Sequence, residues 1–203
     1  MTRRRRVGFV ASAVAGLAAA LVAAAGPASA AAPPLELTYT VAGTTHIAKT
    51  DSDVELGPGT FTAAVDVATG DLTGQLDLPK TTTTFKVLGF VEVTSDVEFV
   101  PAGPATGKIV SGKVNVETPL NVRLSNVRTL GLPFPPVGEN CATGTPVRIA
   151  LESGPDFNPL RGGKMSGTYE IPEFADCGLA TPLINTLVPG PGNTLEIDLE
   201  LQR

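Results

Sequence analysis

The chain has 203 residues and a formal net charge of −5, with 15 Lys and Arg against 20 Asp and Glu. No basic cluster follows the first few residues, so the sequence lacks the positive surface on which nucleic-acid binding depends. One histidine and no tryptophan leave little material for a His-based zinc site or for the aromatic platforms of carbohydrate binding.

Residues 1–30 have the three parts of a cleavable secretory signal peptide. Arg3–Arg6 form a basic start, Val7–Ala25 form an apolar stretch, and Ala28–Ala30 supplies the small residues that a signal peptidase accepts. A membrane anchor is the alternative, because about 20 apolar residues can span a bilayer. The Gly-Pro pair and the cleavage motif favour cleavage. We therefore expect residues 31–203 to be secreted, with no membrane span after cleavage.

Most of the remaining chain alternates between apolar and polar side chains, which is typical of strands with one buried face. Strands are predicted over residues 61–67, 72–78, 91–94, 97–99, 113–117, 147–152 and 195–200. Thr81–Thr84 adds β-propensity. Gly57-Pro58-Gly59 predicts a turn before the first of these strands, and Ala68-Thr69-Gly70 predicts a hairpin, because Gly70 can adopt a positive φ.

The region from Gly131 to Gly138 contains three prolines and cannot be a central strand, so it predicts a long surface connection. Cys141 follows it, and Cys177 is the second cysteine of the chain. In an oxidising compartment an even number of cysteines predicts a disulfide. A bond that closes the loop from Cys141 to Cys177 stabilises the folded state by roughly 3–4 kcal/mol in the chain-entropy model. A redox or metal pair is disfavoured because no Cys-x-x-Cys spacing occurs.

One helix is predicted, over Leu179–Val188. Leu179, Leu183 and Leu187 have helical spacing, and the segment Pro189–Gly192 ends it. Elsewhere the predicted strands carry apolar side chains on one face only, which favours antiparallel pairing. Parallel strands would appear in the sequence as continuous apolar runs joined by helices. The predicted fold is therefore all-β, a single antiparallel β-sandwich or barrel domain.

The last part of the chain resembles a family of exported actinobacterial proteins of unknown function. The likeness rests on Glu139-Asn140-Cys141, Pro146-Val147, Phe157–Leu160, Gly167–Pro172, Cys177-Gly178-Leu179 and Val188–Asn193. It implies export and a disulfide, and it implies no activity. In size and strand content the chain is also similar to YceI-like lipid-binding barrels.

The candidates for catalysis or metal binding are few. His46 is the only histidine, and its neighbours place it near a strand start after a turn at Gly43. Asp51, Asp53 and Glu55 stand at alternate positions, but they lack the spacing of a calcium loop and are expected to share the solvent face of a strand. No Gly-x-Ser-x-Gly nucleophile motif occurs. We therefore predict no catalytic, cofactor-binding or metal-binding residue.

Six phenylalanines can either fill the core or line an apolar pocket: Phe85, Phe90, Phe99, Phe134, Phe157 and Phe174. The sequence as a whole predicts a secreted, non-catalytic β domain that binds a surface, a protein or an apolar ligand of the cell envelope. A lipid or isoprenoid carrier with a barrel cavity is the alternative. A hydrolase using His46 and an adhesion or inhibitor module using the loop Pro133–Gly138 are further alternatives.

Overall fold

The computed structural model describes residues 32–87, 91–129 and 135–203. The predicted signal peptide lies outside these residues, as do Phe90, Phe134 and the first half of the proline-rich connection. Among the described residues no helix is long and apolar enough to cross a membrane.

The described chain is built almost entirely of strands, which confirms the all-β prediction. A 3₁₀ turn covers Gly178–Ala180 and the α-helix α1 covers Thr181–Leu187. The strands are β1 Leu35–Ile47, β2 Ser52–Val65, β3 Asp71–Asp77, β4 Thr81–Val87, β5 Val91–Pro101, β6 Ala105–Val110, β7 Lys113–Thr129, β8 Ala142–Thr143, β9 Val147–Ser153, β10 Gly162–Ile171, β11 Phe174–Ala175 and β12 Gly190–Leu201.

Eight strands close into an antiparallel barrel, so of the two predicted architectures the barrel is the one found. The strand order around it is β7-β6-β3-β2-β1-β12-β10-β9, and β9 pairs back onto β7. Closure satisfies the backbone groups that an open sheet would leave along its edges. It also turns every second side chain inward, which is why the alternating apolar positions of the sequence converge on one core.

The long strand β7 serves two parts of the structure. Its residues Asn115–Leu120 pair with β9 inside the barrel, whereas Leu120–Thr129 pair with β5. Strand β5 in turn pairs with β4. The β4–β5 hairpin therefore extends the wall beyond one end of the closed barrel, and this end carries the candidate site described below.

Two turns predicted from glycines are wrong, because the glycines lie inside strands. Gly57-Pro58-Gly59 belongs to β2, where the register against β1 shifts between Val41 and Gly43. Gly57 has a φ of 83°, and a Cβ there would lie 2.4 Å from the carbonyl oxygen of Val41, so glycine permits this β-bulge. Gly43 lies within β1, and His46 is consequently near the end of that strand rather than its start.

Other local predictions are confirmed. Residues 66–70 form the β2–β3 hairpin, with Gly70 at a φ of 75° and its N–H donating to the carbonyl oxygen of Asp66 at 2.7 Å. The Cys141–Cys177 disulfide is present, and both cysteines are buried. Together with β8 and β11, this bond joins the segment after β7 to the segment before α1.

The predicted helix is also present, as the 3₁₀ turn Gly178–Ala180 followed by α1, but the leucines whose spacing indicated it are not its buried residues. Ala180 and Ile184 point into the core, whereas Leu179 is 82% exposed and Leu183 is 38% exposed. On the same helix, the side chain of Asn185 bonds the backbone of Phe174 in β11. The helix therefore contacts β11 through Asn185, while Leu179 and Leu183 face solvent.

Candidate ligand cavities in the barrel

Three small cavities lie one after another inside the structure. The outer cavity, of about 60 Å³, lies between the end of the barrel and the β4–β5 hairpin. The middle cavity, of about 50 Å³, and the inner cavity, of about 40 Å³, lie within the barrel. The outer and middle cavities share the lining residues Thr45, Phe99 and Tyr169, and the middle and inner cavities share Val41, Leu76, Thr118, Leu151 and Ile197. Neighbouring cavities are thus separated only by side chains.

The cavity walls are apolar because they are made from the inward positions of the alternating strands. Of the described residues that line the three cavities, none is charged, and the polar ones are five hydroxyl-bearing threonines and serines with Tyr169: Thr45, Thr50, Ser52, Thr83 and Thr118. Strand β5 illustrates the origin of the wall. Its odd-numbered residues Val93, Ser95 and Val97 are all buried, and Phe99 continues the same face.

The phenylalanines divide between the two roles that the sequence left open. Phe85, Phe99 and Phe174 line the outer cavity, each from a different strand. Phe157 is half-buried against the core instead. An aromatic cluster at this end of the barrel is therefore a product of β4, β5 and β11 meeting there, and no spacing in the sequence brings those three strands together.

Strands β2 and β4 lie next to each other at the outer cavity without pairing, and this unpaired stretch is called the gap between β2 and β4. Strand β2 pairs with β1 from its first residue, where Ser52 lies opposite Ile47. It pairs with β3 only from Thr60 onward. Over the described residues β4 pairs with β5 alone, although Cα atoms of β2 and β4 come within 8 Å of each other. Two unpaired strand edges thus face each other, and Ser52, Val54, Thr83 and Phe85 of these edges line the cavity behind them.

A short chain of hydrogen bonds crosses the junction of the outer and middle cavities. The hydroxyl of Tyr169 lies 2.6 Å from Oγ1 of Thr45, and Thr45 Oγ1 donates to the carbonyl oxygen of Thr194 at 2.9 Å. Tyr169 is 9% exposed and Thr45 is 2% exposed. Burial raises the pKa of the Tyr169 hydroxyl above its ordinary value.

His46 lies on the outside of the same end of the barrel. Its Nδ1 is 2.8 Å from Oδ1 of Asp53, its cross-strand neighbour, and its Nε2 is 3.7 Å from Oδ1 of Asp51. The histidine and both aspartates are exposed by 38% or more. Asp53 and Glu55 share the solvent face of β2, opposite the buried Val54 and Leu56, as predicted. The prediction is wrong for Asp51, which lies in the turn before β2 with a φ of 44°.

Both ring nitrogens of His46 thus face carboxylates, and neither contacts a hydroxyl in the described part of the chain. The His–hydroxyl contact on which the hydrolase alternative depends is not formed there. Nor do any three His, Cys, Asp or Glu side chains among the described residues come together in a way that could hold a metal ion. The proline-rich loop of the adhesion alternative lies partly outside the described residues.

The Thr45–Tyr169 pair is a polar feature of the cavities that sequence reasoning missed. The two residues are 124 positions apart, and each sits in a strand whose pattern marks it only as an inward position. No motif signals their contact, because it arises from the arrangement of β1, β12 and β10 as neighbours in the barrel.

Neither a family model, nor a curated protein, nor a solved structure matches this chain.

Proposed function

We propose that this is a secreted, non-catalytic binding domain whose barrel interior takes up a small apolar ligand. The observation that carries the proposal is the line of three apolar cavities behind the gap between β2 and β4. The Cys141–Cys177 disulfide supports an extracellular or cell-envelope setting, since disulfides persist in oxidising compartments.

The cavities are a stability cost that an ordinary core avoids. Protein interiors are close-packed and contain few voids larger than a water molecule. Cavities lower stability by about 24 cal/mol per Å³, so the outer cavity of about 60 Å³ costs on the order of 1 kcal/mol. A ligand that fills this space recovers the cost, which is the physical reason to read the voids as a binding site.

The size and chemistry of the cavities limit the ligand. Ligand pockets for drug-sized molecules span about 300–1,000 Å³, far above the volume of any of the three. A slender hydrocarbon chain suits them better, since it can pass from one cavity to the next when Phe99 and Leu76 change rotamer. Each methylene taken from water contributes about 0.8 kcal/mol.

The gap between β2 and β4 is the proposed entrance. A closed and fully hydrogen-bonded barrel wall would have to break several backbone bonds to admit a ligand. The unpaired edges at Ser52–Leu56 and Thr81–Phe85 require no such step, because no strand pairing joins them.

A single-tryptophan reporter tests the proposal, since the natural chain contains no tryptophan. Phe85→Trp places an indole at the wall of the outer cavity, and Lys86→Trp places one on the opposite, exposed face of β4. Octanol and its isomer heptyl methyl ether serve as slender probes. At least one of them should change the emission of the Phe85→Trp variant in a saturable way and leave the Lys86→Trp variant unchanged.

The same probes should raise the Tm of the wild-type protein, because a ligand that binds only the folded state stabilises it by about 2.7 kcal/mol at one hundred times Kd. If neither probe changes the emission at position 85 and neither raises the wild-type Tm, the proposal is wrong. Lipid or isoprenoid carriage is the narrower form of the proposal. Native mass spectrometry of protein secreted by the producing cell would then detect a bound molecule that is lost on unfolding.

A further inference from the structure

The proton positions at the cavity junction follow from elementary hydrogen-bond counting. A threonine hydroxyl has a single proton. Thr45 uses that proton on the carbonyl oxygen of Thr194, 2.9 Å away, which is an acceptor under all conditions. In the 2.6 Å contact between Thr45 and Tyr169, Tyr169 is therefore the donor and Thr45 the acceptor.

Tyr169 is consequently left with lone pairs but no free proton. Its oxygen can accept a hydrogen bond from a third group and cannot donate one. Because Tyr169 lines both the outer and the middle cavities and is 9% exposed, a group that meets this oxygen inside the cavities does so away from bulk water. The Tyr169 oxygen is thus an acceptor at the junction between two apolar cavities.

The remaining walls select against charge. No described residue that lines the three cavities is cationic or anionic, so a carboxylate or ammonium group inside would have no counter-ion. Burying an unpaired charge costs far more than burying a neutral hydroxyl that finds one hydrogen-bond partner. A fatty-acid carboxylate is therefore a poorer occupant than an alcohol with the same chain.

We infer that the ligand is a neutral amphiphile, a slender apolar body carrying a hydroxyl group, and that its O–H donates to the Tyr169 oxygen between the outer and middle cavities. This inference rests on the proposed function and specifies the ligand class of the same site. Thr45 is a positioning residue in this arrangement, since it holds the Tyr169 proton away from the ligand.

Three probes of similar size test the inference at pH 7: octanol, heptyl methyl ether and octanoate. The ether is an isomer of octanol without the O–H, and octanoate carries a charge. A single net hydrogen bond corresponds to roughly a three- to tenfold change in Kd. We expect wild-type protein to bind octanol tighter than the ether by about that factor, and octanoate more weakly than either.

Two variants separate the hydrogen bond from simple packing. Tyr169→Phe removes the acceptor, and it should bring the Kd values for octanol and the ether within about twofold of each other, mainly by weakening octanol. Thr45→Val frees the Tyr169 proton for the cavity, so binding of the ether should strengthen relative to octanol. Denaturant unfolding of both variants establishes that they are folded under the binding conditions.

The possible failures are distinguishable. If neither neutral probe binds wild-type protein, the proposed function fails and takes this inference with it. If octanol and the ether bind wild-type protein equally and Tyr169→Phe changes neither, the binding site stands and the hydroxyl recognition is wrong. Octanoate binding as tightly as octanol would overturn the inferred neutrality.

Discussion

The side-chain amide of Asn185 pairs with both backbone groups of Phe174. The N–H of Phe174 donates to Asn185 Oδ1 at 2.8 Å, and Asn185 Nδ2 donates to the carbonyl oxygen of Phe174 at 3.0 Å. Helix α1 thereby holds β11 as a strand partner would, and it fixes the position of Phe174, whose ring lines the outer cavity.

Asn185→Ala should lower the free energy of unfolding by about 1–2 kcal/mol, because two backbone groups of the buried Phe174 lose a partner. The better helix propensity of alanine offsets a small part of this loss. Urea unfolding measures the change. Asn115→Ala, at an exposed position of β7, is the control and should stay within about 0.5 kcal/mol of wild type. Equal effects of the two substitutions would contradict the role given to Asn185.

Thr83 and Thr84 offer a matched pair for testing the entrance between β2 and β4. Thr83 lines the outer cavity, whereas Thr84 is exposed on the other face of β4, where its hydroxyl lies 3.1 Å from that of Thr94. Thr83→Trp should fill the cavity mouth and abolish the rise in Tm that octanol causes in wild-type protein. Thr84→Trp should retain this rise. An entrance elsewhere would leave both variants responsive to octanol.

Replacing both Cys141 and Cys177 by alanine should lower the free energy of unfolding by roughly 3–4 kcal/mol, the chain-entropy value for a loop of this length. Both cysteines are buried, so alanine avoids leaving a hydroxyl without a partner. Guanidinium unfolding with and without a thiol reductant checks the origin of the effect. Reductant should destabilise the wild-type protein and leave the double variant unchanged, and a loss below 1 kcal/mol would count against the estimate.

The lowered pKa of the Asp96 carboxyl predicts that the protein loses stability at low pH. Hydrogen bonds from Asn126 and Thr82, followed by the charge of Lys80, lower the pKa of the Asp96 carboxyl in the folded protein. A lowered folded-state pKa means that the stabilisation is present above the unfolded pKa of about 3.9. It is lost as the pH falls from there through the folded-state pKa.

Asp96→Asn should therefore be less stable than wild type at pH 7, and its urea midpoint should fall less steeply below pH 4. The bonds concerned join β4, β5 and β7, so the β4–β5 hairpin should show the change first in hydrogen exchange. Asp198→Asn, at an exposed position of β12, is the control and should follow the wild-type pH curve. Parallel curves for wild type and Asp96→Asn would contradict the prediction.

Several features were predictable because they depend on neighbours in the sequence. Alternation at residues 72–78 and 195–200 predicts β3 and β12 since side chains of a strand point to opposite faces at successive positions. Gly70 predicts its hairpin through its own φ. The outward carboxylates of Asp53 and Glu55 follow from the same alternation. An even number of cysteines behind a predicted export signal predicts the disulfide without any knowledge of the fold.

Other features depend on which strands become neighbours. Gly57 and Gly43 carry the same local signal as Gly70, yet they lie within strands, because close approach of another backbone also requires glycine. The leucine spacing over 179–187 predicts a helix but not its buried face, since that face depends on which strands the helix packs against.

The sequence by itself determined that this is an acidic, disulfide-bonded β domain whose alternating strands have one solvent-exposed and one buried face. Period-two alternation and residue chemistry are local properties, so they can be recognised without the fold. Only the tertiary structure decided that β9 returns to β7 to close a barrel, that β2 and β4 remain unpaired beside the outer cavity, and that Thr45 meets Tyr169 at the junction of the outer and middle cavities. Pairing between strands far apart in the chain is settled by how all inward faces pack together, and no single strand carries that information.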